Sequence, residues 1–305
     1  MFDGLDLVVL PATDTDRLVD LYAGVMGFTV LDDDADPDRA WDRLLDLPAP
    51  VERVRRLAKP GATGGALVLL EVAGLDDVGA PGAPARRGPY ALDFFARDSD
   101  DLERRLEEAG WTFTSEPVDY SLPGTDIPVR ERMLVQGVSG LLHAIVQHRP
   151  MGTRSVLGQV EHEQCSEVVA AVCLAPELDA ARAFAAEALG GREYLRGDFA
   201  GPEVERMLAM HPGEALDGAL FRGPTSANAR LEFAWRHTAT PADPVATPRV
   251  VLGLQVEDLH LADSWSAHGT GGEIVALRLG DTQHEARTFV SRYDTTFLLL
   301  TPARR

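Results

Sequence analysis

Residues 14–30, DTDRLVDLYAGVMGFTV, carry the pattern from which the rest of the chain is read. Leu18, Leu21, Tyr22 and Val25 stand at i, i+3, i+4 and i+7, one apolar stripe of a helix, with Asp16, Arg17 and Asp20 on its other faces. Asp14 supplies an N-terminal cap and Gly27 a stop. The segment ELDAARAFAAEALGG, which begins at Glu177, repeats this design. Ala181, Phe184, Ala185 and Ala188 follow the four stripe residues by 163 positions, and Gly190 follows Gly27 by the same interval. Stripe and stop at a single offset predict a repeated structural unit.

The flanks of each helix extend the repeat. LDLVVLPA (residues 5–12) reads as a strand before the first helix, and FTVL (28–31) as a strand after it. WDRLLDL from Trp41 is a short helical pattern, followed by VERVRRLAK, a glycine turn at GATGG, and the apolar strand ALVLLEV from Ala66. The unit is βαβββ. In the second half VERMLAM, ALDGALFRG and ARLEFAW answer these segments, and an offset of 161 sets Glu232 opposite Glu71. A weaker copy follows each: YALDFFA from Tyr90 with the helix SDDLERRLEEAG, and VVLGLQV from Val250 with DLHLADSWSAHG. The expected fold class is α+β, with four βαβββ modules in two duplicated halves. Residues 1–150 form an N-terminal domain (modules 1–77 and 88–149) and residues 151–305 a C-terminal one (modules 165–237 and 248–303).

Composition sets the limits on function. Acidic residues outnumber basic ones by 48 to 29, and the net charge of −19 repels a phosphate backbone or an anionic membrane surface, so neither nucleic acid nor membrane is expected as a partner. The start, MFDGLDLVVLPATD, lacks a basic leader and a long apolar run, which predicts a cytoplasmic protein. Cys165 and Cys173 are the only cysteines, and eight residues of extended chain hold them too far apart for a disulfide. The expected partner is a small molecule, and the sequence is compatible with a homodimer.

DTDRLVDLYAGVMGF, closing with LLEV at residues 69–72, resembles the vicinal oxygen chelate superfamily of glyoxalase I, epimerases, bleomycin and fosfomycin resistance proteins and extradiol dioxygenases. That resemblance implies paired modules with curled mixed sheets forming open cups. It also implies a divalent metal held by a histidine in a module's first strand and a glutamate in its last. The histidine belongs seven residues before the acidic residue that opens the helix. Those positions are Leu7, Ala91, Ala170 and Val251, and none is a histidine. An extradiol dioxygenase of this length would use the positions of Ala170, Val251 and about Leu299, so that chemistry is not expected. At the last-strand position the resemblance matches Glu71 and Glu232, while the second module offers His143. No cofactor is assigned; a divalent metal, if used, would be held by Glu71 with His143, or by Glu232.

Strand parity extends the reading to the cup floor. Residues on the face of the missing histidines are mainly apolar: Leu7 and Val9, Val172 and Leu174, Val251 with Gln255, and Asp93 with Phe95. Glu71, Glu232 and Asp93 are carboxylates in apolar strands, costly to bury unless paired, protonated or used. With His143 they form the candidate catalytic set; Val172, Leu174, Gln255 and Phe95 are the candidate substrate contacts. The plainer alternatives are ion-paired glutamates and a core histidine. Three functions follow: a lyase, isomerase or cyclase working by carboxylate acid-base chemistry on an apolar molecule, a protein that binds or sequesters such a molecule without chemistry, or a metal enzyme with non-standard ligands.

Overall fold

The computed structural model describes residues 3–36, 38–75, 87–137, 141–148, 155–224, 230–237 and 250–301. The turn PTSANA and most of the three Pro/Gly-rich linkers lie outside these residues. The first module comprises β1 (Leu7–Ala12), α1 (Thr15–Val19), β2 (Thr29–Asp34), α2 (Ala40–Leu44), β3 (Val51–Ala58) and β4 (Ala66–Val72). The second has β5 (Gly88–Ala96), α3 (Ser99–Glu108), β6 (Thr112–Phe113), β7 (Val118–Ser121), β8 (Pro128–Val135) and β9 (Leu142–His148). The third has β10 (Cys165–Leu174), α4 (Leu178–Ala183), β11 (Arg192–Ala200), α5 (Pro202–Met207), β12 (Ala215–Arg222) and β13 (Arg230–Arg236). The fourth has β14 (Val251–Gln255), α6 (Leu261–Ser264), β15 (Gly269–Leu279), β16 (Thr282–Ser291) and β17 (Thr296–Leu300).

The opening stretch folds as its pattern predicts. The Asp14 side chain accepts from the Arg17 amide at 3.0 Å, and Leu18, Leu21 and Tyr22 are fully buried. Both α1 and α4 run on into a π-helical turn, Asp20–Val25 and Phe184–Ala188. The same bonds close the two turns. Met26 N–H donates to the Leu21 carbonyl and Phe28 N–H to that of Tyr22, and at +163 Leu189 donates to Phe184 and Gly191 to Ala185. Gly27 and Gly190 sit between these donors with φ of 77° and 73°, a left-handed conformation that a Cβ would strain.

Strand pairing joins the modules in a different order from the chain. One sheet runs β15-β16-β17-β14-β1-β4-β3-β2, uniting modules one and four. The other runs β11-β12-β13-β10-β5-β9-β8-β6, with β7 on β8, and unites modules two and three. Each half of the chain therefore contributes to both sheets, and the expected division near residue 150 is not a boundary between sheets. The sheets carry α1, α3, α4 and α6 between them. One core cluster gathers Val8, Leu10, Leu67, Leu69 and Leu252 of the first sheet, Leu92, Phe94, Ala171, Leu231 and Phe233 of the second, and Leu18, Tyr22, Leu102, Leu106 and Phe184 of the helices and their turns. Lys59, 2% exposed, ties the sheets further through Glu163 at 2.7 Å, and Gly65 lies so close to β10 that a Cβ would meet the Val168 carbonyl oxygen at 2.3 Å. Both cysteines are buried and free. Among the described residues no helix is long and apolar enough to cross a membrane.

The two concave faces differ. That of the first sheet is packed solid by Leu7, Val9, Val68, Leu70, Leu298 and Leu300, against which α2 lays Trp41 and Leu44. At its seam Leu7 pairs with Gly253, whose missing Cβ leaves the space taken by the Leu7 side chain. In the second sheet the equivalent pair is Ala170 and Asp93, and small residues also stand at Ala91, Ala144, Gly218 and Ala234. Volume is removed from one concave face and supplied to the other. Trp41, 1% exposed, closes the first cup. Trp41→Ala is expected to cost about 3–5 kcal/mol in urea unfolding; a loss below about 1 kcal/mol would mean that the first cup is not held shut by this side chain.

Candidate functional site

The open cup lies on the concave face of the second sheet and holds about 910 Å³, its mouth included. Its floor is Ala91, Ala170 and Val172, and its walls include Phe95, Met133, Val146, Phe199 and Leu216. The helix α5 covers it with Val204 and Met207, where its counterpart α2 plugs the first sheet. The turn between β7 and β8 reaches over the rim so closely that a Cβ on Gly197 would meet that of Pro123 at 2.4 Å.

Three carboxyl groups face this cavity: Asp93 from β5, Glu131 from β8 and Glu232 from β13. Strand alternation places them there. In β8, Val129, Glu131 and Met133 turn inward while Arg130 and Arg132 turn outward to Asp100, Asp119, Glu103 and Glu107. Asp93, Ala170 and Arg230 form one row across β5, β10 and β13, so Arg230 is two strands from Asp93 with only a methyl group between them. Val172 pairs with Glu232 and Ala91, which puts Glu232 in the next row. The Tyr120 hydroxyl donates a short hydrogen bond to Glu131 Oε2. The guanidinium of Arg230 lies over the Phe95 ring at 5.7 Å and the Tyr194 ring at 5.4 Å.

Burial governs the protonation of this group. It pushes the Glu131 carboxyl up to about 7, against the opposing bond from Tyr120. Glu232 is raised well above the carboxylate range by burial, then by the charges of Asp93 and Glu131. Asp93 is raised likewise by burial and Glu131, with Arg230 pulling the other way. His148, at the end of β9, is driven down to about 4 by burial and by Arg230, so its imidazole is neutral. The Tyr90 hydroxyl is buried in the wall without a hydrogen-bond partner.

The structure brings together some of the residues singled out from sequence and separates others. Asp93, Glu232, Val172 and Phe95 line the cavity, and Leu174 belongs to the apolar cluster of the same face. Glu71 does not line it. The closing strands correspond with an offset of 164, because Val54 pairs with Leu70 as Gly218 pairs with Ala234. Glu232 thus corresponds to Val68, and Glu71, three residues further on, points to the helical side of the first sheet, where Thr15 Oγ1 donates to it at 2.7 Å. His143 also faces the helices: its Nε2 meets the Tyr22 hydroxyl at 2.7 Å and its Nδ1 the Leu142 carbonyl at 2.9 Å. It is a satisfied core histidine, brought down to about 4 by burial. Glu71 and His143 stand on different sheets and are engaged by different residues of the first helix and its turn, Thr15 and Tyr22. Gln255 is exposed at the end of β14 in the sheet whose concave face is filled.

Sequence reading missed Glu131, Arg230, Tyr120, Tyr90 and His148. The alternation Val129-Glu131-Met133 held the signal for Glu131, and the series Leu142-Ala144-Val146-His148 held it for His148. The donors in the cup do not fit the divalent metal that the fold family implies. The first-strand positions Ala91 and Ala170 are methyl groups. Among the described residues, the one set of three His, Cys, Asp or Glu ligand atoms within 4.8 Å of one another is Asp198, Asp217 and His237, which do not line the cavity.

Known proteins agree with this architecture. Residues 4–127 match the family model for the glyoxalase/bleomycin resistance protein/dioxygenase superfamily. Glyoxalase I from Zea mays superposes with a TM-score of 0.63 at 15% identity, over 98% of this chain and 92% of that one. A putative dioxygenase from Bacillus subtilis superposes with a TM-score of 0.62 at 14% identity, over 98% and 85%. Among curated protein sequences none matches. At these identities the structural likeness speaks for the fold, and residues 4–127 carry the match to the glyoxalase/bleomycin resistance protein/dioxygenase superfamily.

Proposed function

We propose that the cup of modules two and three binds a small, largely apolar organic molecule and moves a proton on it, as a lyase, isomerase or cyclase. The observation that carries this reading is the meeting of three carboxyl groups in one apolar cavity with a single guanidinium. Glu131, at about 7, exchanges its proton in the range where a group serves well as acid or base. Tyr120 orients it. Asp93 and Glu232 hold their protons more firmly in the free cup, as buried carboxylic acids do, and offer polar contacts to the ligand. The roof of α5 and Pro123 excludes water from the transfer.

The test uses the molecule retained by the purified protein, identified by mass spectrometry and returned to the protein in D2O. Deuterium at a carbon of that molecule, or its conversion to a product, is expected. Glu131→Gln should slow this by about 10²–10⁴-fold with binding retained, and kcat/KM should rise with pH through about 7 in the wild type alone. Full turnover in Glu131→Gln, Asp93→Asn and Glu232→Gln alike would rule the reading out. Stoichiometric binding with neither exchange nor product would assign the protein to sequestration instead.

Stability carries the same signature. The Glu131 carboxyl rises from an ordinary 4.5 to about 7 on folding, so the folded chain binds more protons between those values. Its contribution to stability therefore falls as pH rises from about 4.5 to about 7, by up to about 3 kcal/mol. Glu131→Gln should flatten this decline, making the variant gain on the wild type from pH 5 to pH 8 in urea unfolding. A stability difference independent of pH would show that Glu131 ionises freely in the folded protein.

A further inference from the structure

Acidic groups outnumber cations in the cup. Among the described residues, Asp93, Glu131 and Glu232 face it against one cation, Arg230, and the one imidazole in its wall, His148, is neutral. At least two carboxyl groups therefore lack a cation of the protein's own. The charged and titratable groups around them do not change this count. Glu131 is faced by Tyr120 and the other two acids, Asp93 by Glu131, Arg230, Tyr120 and Tyr194, and Glu232 by Asp93, Glu131, Tyr120 and Tyr194. Arg236, near Tyr90, is already bound to Glu214 at 2.6 Å. The wall is suited to a cation in a second way, because the π-faces of Phe95 and Tyr194 already carry the Arg230 guanidinium. The Tyr90 hydroxyl adds a buried polar atom with no hydrogen-bond partner among the described residues.

We infer that the ligand of this cup is a small organic cation, a protonated amine on an apolar or aromatic body, with its ammonium group among Asp93, Glu131 and Glu232. This names the class of ligand for the site proposed above and rests on that reading. The alternatives are weaker on electrostatic grounds. An anion would have Arg230 alone to receive it and would meet three acids, in a chain of net charge −19. A neutral molecule would leave the acids as they are.

An ammonium group lowers the cost of ionising the carboxyl beside it, so its entry is coupled to proton loss from the cup. The balance is simple: the amine enters as R–NH₃⁺, one carboxyl leaves its O–H bond pair on oxygen as a carboxylate, and the proton passes to solvent. By reciprocity, affinity for the amine rises with pH while the free cup still holds that proton. The carboxylate so formed beside the ligand is then available as the base of the reaction, so a cationic substrate generates its own catalyst.

Isothermal titration calorimetry of the full chain with 1-naphthylmethylamine, 1-naphthylmethanol and 1-naphthoate tests the inference. The three probes share an apolar body and differ in charge. The amine is expected to bind at least about tenfold more tightly than the alcohol, with the carboxylate weakest. Its binding heat should differ between phosphate and Tris buffers by an amount corresponding to about one proton released, and its affinity should rise from about pH 6 to pH 8. Glu232→Gln and Asp93→Asn should each reduce the preference for amine over alcohol. Equal binding of amine and alcohol without proton release, or a preference for the carboxylate, would overturn the inference and leave the small-molecule site standing. Failure of all three probes at millimolar concentration would overturn both.

Discussion

Successive side chains of a β-strand point to opposite faces of its sheet, and in this protein the two faces of each sheet have different tasks. The convex faces press on the helices in one shared core, and the concave faces form cups. A shift of one residue moves a side chain from one environment to the other. Glu232 stands in a cavity and Glu71 beside Thr15 because three residues, an odd number, separate Glu71 from the true counterpart of Glu232. The same parity sends His143 to Tyr22 and leaves His148 in the cup wall.

Side-chain volume then decides which cup is open. The seam of the first sheet sets Leu7 over Gly253, and that of the second sets Asp93 beside Ala170. Leu70 and Val54 of the first sheet are answered by Ala234 and Gly218 in the second. The helices that follow obey the same difference. Trp41 of α2 sinks into a filled face, and Val204 of α5 rests at the lip of an empty one. One scaffold thus carries a filled cup that adds buried apolar area and a second cup that leaves a cavity.

Three acids in such a cavity would be costly as bare carboxylates, since the one guanidinium among its described lining residues cannot compensate them all. Retained protons relieve that cost, and Glu131, bound to Tyr120, is left near neutrality. A cavity of this kind is sensitive to the charge of what enters it. The floor has methyl groups at Ala91 and Ala170 where first-strand imidazoles would stand, and the walls carry the carboxyl groups on which the proposed recognition and proton transfer both draw.

The periodicity of residues 14–30 and its echo at Glu177 were enough to determine the α+β class and the βαβββ order, because helix stripes and glycine stops are local properties of a sequence. Strand parity also pointed Asp93, Phe95 and Val172 correctly into a cup. Other features were not local. Which modules pair, and so which cup each residue faces, follows from contacts between β1 and β14 and between β5 and β10, remote in the chain. The register of the closing strands depends on a turn whose length no pattern disclosed, and with it went the face of Glu71. Arg230, Glu131 and Asp93 come from three strands far apart in sequence, and only the curl of one sheet makes them neighbours. The sequence by itself determined the scaffold, since each element carries its own signal. The tertiary structure alone decided where the site lies, since that depends on the volume and charge that distant strands bring to one cavity.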